Sequence, residues 1–282
     1  MEQLTGWVTD NKIPVGRTAK TLFDWLNANA SGLFDAISVA MEALIAAILA
    51  GLQAPHPFLF IALAMALTFA LQRRVGTCLL VGVGLLFILN QGYWTEMMQS
   101  LTLVLSACLV CMGVGVPIGI AAAHRPRLYD GMRPVLDLMQ TLPTFVYLIP
   151  AIVFFGIGMV PGLLATVIFV LPAPIRLTQL GIASTPPALT EAARAFGATP
   201  RQLLWKVELP SALPQIMAGL NQTIMLSLSM VVIAALVGAS GLGVPVVRAL
   251  NSVNTALGFE SGIVIVVVAI LLDRMLRMEG RK

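Results

Sequence analysis

The sequence is short of charge. Only 11% of its 282 residues are Asp, Glu, Lys or Arg, against 58% hydrophobic, where soluble domains carry roughly 25% charged residues. So few charges could not cover a water-soluble globule. Acidic residues are absent from the apolar runs 57–72, 76–90, 99–123, 141–158 and 215–238. Ion-coupled transporters and channels commonly keep such groups within their spans, so that class is disfavoured, though coupling through backbone carbonyls alone stays open. Lysine occurs only at 12, 20, 206 and 282, and none follows a glycine. The phosphate-binding loop G-x-x-x-x-G-K-[ST] is therefore missing, which excludes ATP hydrolysis by that route. The two histidines, His56 and His124, flank spans at opposite faces, so an intramembrane enzyme lacks a constellation. His124, beside Arg125 and Arg127, reads as a plain interfacial residue.

Cysteine is scarce too. Cys108 and Cys111 form a C-x-x-C, a spacing that elsewhere serves redox or metal chemistry. No histidine or second cysteine pair lies nearby, and Leu105, Val110 and Met112 flank it. Together with Cys78 they read as small apolar helix residues, with no metal site. The 14 methionines are scattered, at Met65, Met112, Met159, Met217 and Met225 among others, and read as flexible packing. The start, Met1 to Trp7, has Glu2 and no basic segment before an apolar core, so it does not resemble a cleavable signal peptide. The net charge of +4 points to basic loops of a membrane protein rather than to nucleic acid.

What is present is a series of continuous apolar runs. Several approach the roughly 20 residues a helix needs to cross a hydrocarbon core. They do not alternate, which excludes a barrel and leaves helices. The fold class is an all-α polytopic membrane protein. Residues 1–55 form an N-terminal tail with one short helix near Leu22–Leu26 and a second segment, 33–53. That segment carries Asp35, Glu42 and Gln53 and is either an interfacial amphipathic helix or an extra span. Residues 56–98 hold two additional spans, 57–72 and 76–90. Residues 99–282 hold a five-span core at 99–123, 141–158, 161–182, 215–238 and 259–278.

Lys and Arg in short loops set orientation. One set of connections holds Arg73 and Arg74, Arg125, Arg127 and Arg133, Arg176, Arg194, Arg201 and Lys206, and finally Arg274, Arg277, Arg281 and Lys282; the opposite set holds only Arg248. The first set is expected in the cytoplasm, with the C-terminus. An interfacial 33–53 leaves the N-terminus outside and a spanning one brings it inside; the reading leans outside.

One cytoplasmic loop, 183–214, is longer than the rest. Thr185-Pro186 reads as an N-cap with proline at the first helical position. Good helix formers follow over 188–196, and Gly197 can end that helix in the left-handed conformation. Thr199-Pro200-Arg201-Gln202 has the arrangement of a capping box, and Leu209-Pro210 is expected to end this second helix. Two capped helices around a glycine have the shape of a docking knob.

Glu191-Ala192-Ala193, Gly197, Val207 and Leu209-Pro210 at this spacing resemble the EAA loop of ABC-importer permeases. The resemblance covers about residues 95–280. It implies a type I permease fold and a loop that docks on a separate cytoplasmic ATP-binding subunit through Glu191, Ala192, Ala193, Gly197, Leu209 and Pro210. ATP and Mg would be bound by that partner, with no cofactor on this chain. It also implies an external substrate-binding protein, in periplasm or outside the cell, and residence as a multi-pass protein of the inner membrane. One coupling loop per chain implies a second copy of the chain facing two ATPases.

A finer resemblance is to the glycine betaine/proline and choline importers. It rests on Met139–Pro150, on Phe155-Gly156-Ile157-Gly158 with Val160-Pro161-Gly162, and on Asn221-Gln222-Thr223 leading to Leu228–Val232. The stretch 244–258, with Pro245, Arg248, Asn251 and Asn254, departs from that pattern. Within the group, choline is favoured over glycine betaine.

Pathway candidates follow from chemistry in the spans. Pro143 and Pro150 free carbonyls and kink a helix. Phe145 and Tyr147, with Phe154 and Phe155, offer rings to a quaternary ammonium, or simply pack. Asn221, Gln222, Ser227 and Ser229 place polar groups where they need a wet path or a neighbouring helix.

Overall fold

The computed structural model describes residues 14–276. Every regular element among them is helical: α1 (Val15–Gln53), α2 (Pro57–Gln72), α3 (Val75–Asn90), α4 (Trp94–His124), α5 (Pro126–Thr141), α6 (Thr144–Phe155), α7 (Met159–Val170), α8 (Pro172–Ala183), α9 (Pro187–Ala195), α10 (Pro200–Leu203), a π-helical turn (Leu204–Glu208), α11 (Leu209–Ala235), α12 (Gly243–Ser252) and α13 (Thr255–Leu276). The expectations for residues 1–13, and for Arg277, Arg281 and Lys282, lie outside the described residues.

Helix α4, the α7–α8 pair as one segment Met159–Ala183, the segment Pro200–Ala235 and α13 are each long and apolar enough to cross a membrane. Between helices in lipid, apolar burial gives little driving force, and close backbone approach must supply the packing. Glycine allows that approach here. A Cβ at Gly119 of α4 would lie 2.6 Å from the Thr178 side chain and 2.7 Å from the Ile175 carbonyl of α8. On its other side α8 sets Gly181 against Ala212 and Gln215 at the start of α11. So α8 is clamped between α4 and α11. A buried cluster that includes Ile61, Val81, Val104, Leu228 and Val264 ties α2, α3 and α13 to them.

One end of the bundle gathers the starts of α2, α4 and α7 and the end of α11. Phe60 meets Trp94 edge to face, ring centroids 5.6 Å apart. The Gly158 N–H donates to the Val237 carbonyl at 2.9 Å, and the Leu242 N–H donates to Ser100 Oγ at 2.8 Å. Gly241, with φ +129°, lies so close that a Cβ would be 2.5 Å from Ser100 Oγ; the glycine-rich turn is a packed structural element. The opposite end carries the C-terminus of α4, helix α5 and the loop around Gly197.

Two expectations need correction. The run 141–158 is not filled by a helix: the one within it, α6, starts only after a 97° corner with α5 and stops at Phe155. Pro143 has no N–H and disfavours a helical residue before it, so Leu142 is extended at φ −64°, ψ 137°. Helix α6 has 12 residues, about 18 Å, short of a ~30 Å core. Near the N-terminus, the expected short helix in a loose tail is instead part of the 39-residue α1, bent at Ala30 (φ −124°). Pro14 stands at its N-cap, where a missing N–H has no consequence.

Candidate functional site

The loop after α8 folds into an elbow. Helix α9 closes with the Gly197 N–H donating to the Arg194 carbonyl at 2.9 Å and the Ala198 N–H to the Ala193 carbonyl at 3.0 Å. That pair of bonds is the Schellman motif, which needs a left-handed residue after the helix; Gly197 has φ +80°. The next helix starts as expected. The Gln202 N–H donates to Thr199 Oγ1 at 3.3 Å and the Thr199 N–H to Gln202 Oε1 at 2.9 Å, a complete capping box.

Two details differ from the sequence reading. Pro186, not Thr185, is the N-cap of α9, with Pro187 at the first helical position; Thr185 turns inward and is buried. Two successive prolines move the start by one residue, because the second occupies the position that has no use for an N–H. Leu209-Pro210 does not end the second helix. The chain runs on through the π-helical turn into α11, and the Leu209 N–H reaches back to the Leu204 carbonyl. Pro210 follows that turn as the second residue of α11, so its missing N–H falls where the regular i→i−4 ladder is already interrupted.

Helix α9 buries none of its residues. Glu191 and Ala192 are exposed and Ala193 half-buried. Phe196 is 93% exposed and Trp205 64%, with Leu189 at 50%. Thr199, Arg201, Gln202, Trp205 and Lys206 line a shallow depression of about 450 Å³. Three large apolar side chains are thus left in the open, and the sequence reading gave none of them a part in docking. Sequence does not single them out, because Leu203, Leu204, Val207 and Leu209 of the same loop are equally apolar and are wholly or partly buried. At the root of the elbow, Leu204 and Leu209 pack with Ile182, Ala212, Ile216 and the last turn of α4; Leu209 anchors the elbow, while Pro210 is exposed. His124 is not a plain interfacial residue: its Nε2 lies 2.8 Å from Glu208 Oε2.

The pathway candidates divide between α6 and α11. Pro143 forms the corner before α6, and Pro150 lies within α6. Tyr147 is buried, and its hydroxyl donates to the Met139 carbonyl at 2.6 Å, with that of Leu138 at 3.2 Å. It staples the α5–α6 corner by satisfying carbonyls at the end of α5. Its ring packs with Leu148, Met230 and Val237, joining α6 to α11. Phe145 is exposed. Phe154 stacks on Phe34 at 4.4 Å, and Phe155 meets Phe34 edge-on at 5.6 Å, so these rings pack on α1 rather than stand open. On α11, Gln222, Met225 and Ser229 are exposed along one stripe. Ser227 is buried and donates to the Thr223 carbonyl at 2.7 Å. Asn221 turns sideways, its Nδ2 3.4 Å from Asp273 Oδ1 on α13.

Residues 115–278 match the family described as binding-protein-dependent transport system inner membrane component. The chain is 47% identical to the glycine betaine transport system permease protein OpuAB of Bacillus subtilis (strain 168), over 94% of this chain and 93% of that protein. It is 45% identical to the glycine betaine/carnitine transport permease protein GbuB of Listeria monocytogenes serotype 1/2a (strain 10403S), over 96% of each. Among solved structures, the native crystal form of the inward-facing MetNI methionine ABC transporter gives a TM-score of 0.60 at 23% identity, over 67% of this chain and 96% of that chain, a likeness of fold. With a matching region that takes in α7, α8, the elbow and α11, and relatives of this identity over nearly their full lengths, the chain belongs to the inner membrane component family of binding-protein-dependent transport systems, the permeases of ABC importers.

Proposed function

We propose that this permease imports glycine betaine delivered by an external binding protein, and that the elbow 187–210 couples it to a separate ATP-binding subunit. The substrate rests on the relatives, whose names share glycine betaine; the preference for choline gains no support from them. The observation that carries the coupling role is the elbow itself, a capped element whose Phe196 and Trp205 are left largely exposed among the described residues. The importer family supersedes the ion-coupled alternative.

In this reading the elbow end is cytoplasmic, which the Lys/Arg asymmetry supports, and α1 lies along the outer face. A second copy completes the pathway. The exposed stripe Gln222, Met225 and Ser229 supports this, as does an open apolar groove of about 720 Å³ between α12 and α13, lined by Leu250, Val253 and Phe259 among others.

Reconstitution tests the reading. The permease, its ATPase and the binding protein in proteoliposomes should accumulate labelled glycine betaine only with ATP inside and binding protein outside. Uptake by the permease alone would overturn the importer reading. Uptake of choline in preference to glycine betaine would overturn the substrate. The ATPase should co-purify with the permease from native membrane.

A further inference from the structure

The root of the elbow holds a polar contact that docking does not explain. His124 closes α4 and Glu208 closes the π-helical turn. His124 Nε2 lies 2.8 Å from Glu208 Oε2, and Nδ1 lies 2.9 Å from the Ile120 carbonyl oxygen. Glu208 is only 7% exposed. A carbonyl only accepts, so Nδ1 carries a hydrogen. An ionised carboxylate also only accepts, so the second contact needs a second proton, held on Nε2 or on the carboxyl. With that proton both contacts are satisfied; without it, one of them sets lone pair against lone pair.

We infer that His124 and Glu208 are positioning residues that clasp the elbow to α4, and that the clasp is firm only while it holds this shared proton. The inference rests on the coupling role proposed for the elbow. The other attachments at this root are apolar, Leu204 and Leu209 against Ile120 and Ala123, and apolar contacts are non-directional. The clasp is directional. A push on the elbow reaches α11 through the continuous chain and reaches α4 through the clasp, so the two helices that hold α8 between them move together. The charged groups on the surrounding segments are Arg125, Arg127 and Asp130 beyond His124, Arg201 on α10, Lys206 on the turn, and Glu191 and Arg194 on α9. Among the described residues none of these seven forms an ion pair with either member. Helix α11 brings no charged side chain, and Arg176 of α8 is paired with Asp137 at 2.6 Å.

The test uses the full importer in proteoliposomes and reads the stimulation of ATP hydrolysis by loaded binding protein, as a ratio. His124→Ala should lower the ratio about tenfold, the scale of a charge-assisted hydrogen bond, with the ATPase still co-purifying. Glu208→Leu, which keeps the bulk but has no hydrogen-bonding group, should lower it likewise, whereas Glu208→Gln supplies an amide donor to an unprotonated Nε2 and should keep the wild-type ratio. The two Glu208 variants decide alone if His124→Ala does not assemble. A wild-type ratio in His124→Ala or in Glu208→Leu, or a loss in Glu208→Gln equal to that in Glu208→Leu, overturns the clasp. A wild-type importer that hydrolyses ATP without any stimulation overturns the coupling reading, and the clasp with it.

Discussion

Gly197 is the residue on which the elbow turns. A Cβ there would meet no atom within 4 Å, so Gly197→Asp meets only the backbone penalty of a left-handed residue, about 1 kcal/mol. The permease should fold and insert, with poor ATPase co-purification or hydrolysis no longer responsive to loaded binding protein; normal assembly and stimulation would reduce the loop to a linker. Glu191→Lys, at an exposed position, should have the same direction and a smaller effect. Phe196→Ala separates docking from folding more cleanly. At 93% exposure the ring contributes nothing to the fold, so thermal stability of the permease should be unchanged. If the ring fills a pocket on the ATPase, its loss should weaken assembly by about 30-fold, the scale of an interface hot spot; unchanged affinity in a titration of ATPase onto the permease would remove Phe196 from the interface. Gly197 was legible in the sequence because a Schellman turn demands a residue without Cβ between two capped helices. The His124–Glu208 contact was not, because its partners are 84 residues apart and no local spacing signals the pairing.

At the level of elements, apolar run length located α2, α3, α7–α8 and α13 to within a few residues, because a membrane helix needs a continuous run. It overreached at 141–158, where the helix that forms covers only Thr144–Phe155 and begins at a 97° corner with α5. Hydropathy sees composition and is blind to a corner; only the missing N–H of Pro143 and the reach of Tyr147 to α5 reveal it. The failure at α1 has the converse cause: Gly16, Gly32 and a sprinkling of charge lower helix expectation locally, while packing against α4, α6 and α7 holds the helix together. The clamp on α8 gives a direct test of helix packing. Gly119→Val would place its Cβ against the Ile175 backbone oxygen, which cannot yield as a side chain can, and should destabilise the chain by about 1–3 kcal/mol. Gly113 lies on the same helix with nothing within 4 Å of a Cβ, so Gly113→Val should be neutral. Thermal unfolding of the two variants in detergent compares them directly; equal losses would mean that glycine in α4 serves helix flexibility rather than contact with α8.

For the whole molecule, charge sets which side each end faces. Basic residues crowd the elbow end, with Arg125, Arg127, Arg133, Arg194, Arg201 and Lys206, while the opposite end offers Arg248 and, on α1, Arg17 and Lys20, offset by Asp24, Asp35 and Glu42. Helix α1 by length and hydropathy qualifies as a span. Its Phe34 meets Phe154 and Phe155, which directly precede the Gly156–Gly158 turn bonded to Val237, and this contact supports the proposed course of α1 along the outer face. Single cysteines in a background lacking Cys78, Cys108 and Cys111, all buried, test the arrangement. Thr95→Cys, Ser252→Cys and Asn27→Cys, at exposed positions, should react with an impermeant maleimide added to intact cells. Leu128→Cys and Ala188→Cys, also exposed, should react only after permeabilisation. A protected Asn27→Cys alongside a reactive Thr95→Cys would show that α1 crosses after all. A reactive Ala188→Cys in intact cells would put the elbow outside, out of reach of any cytoplasmic ATPase.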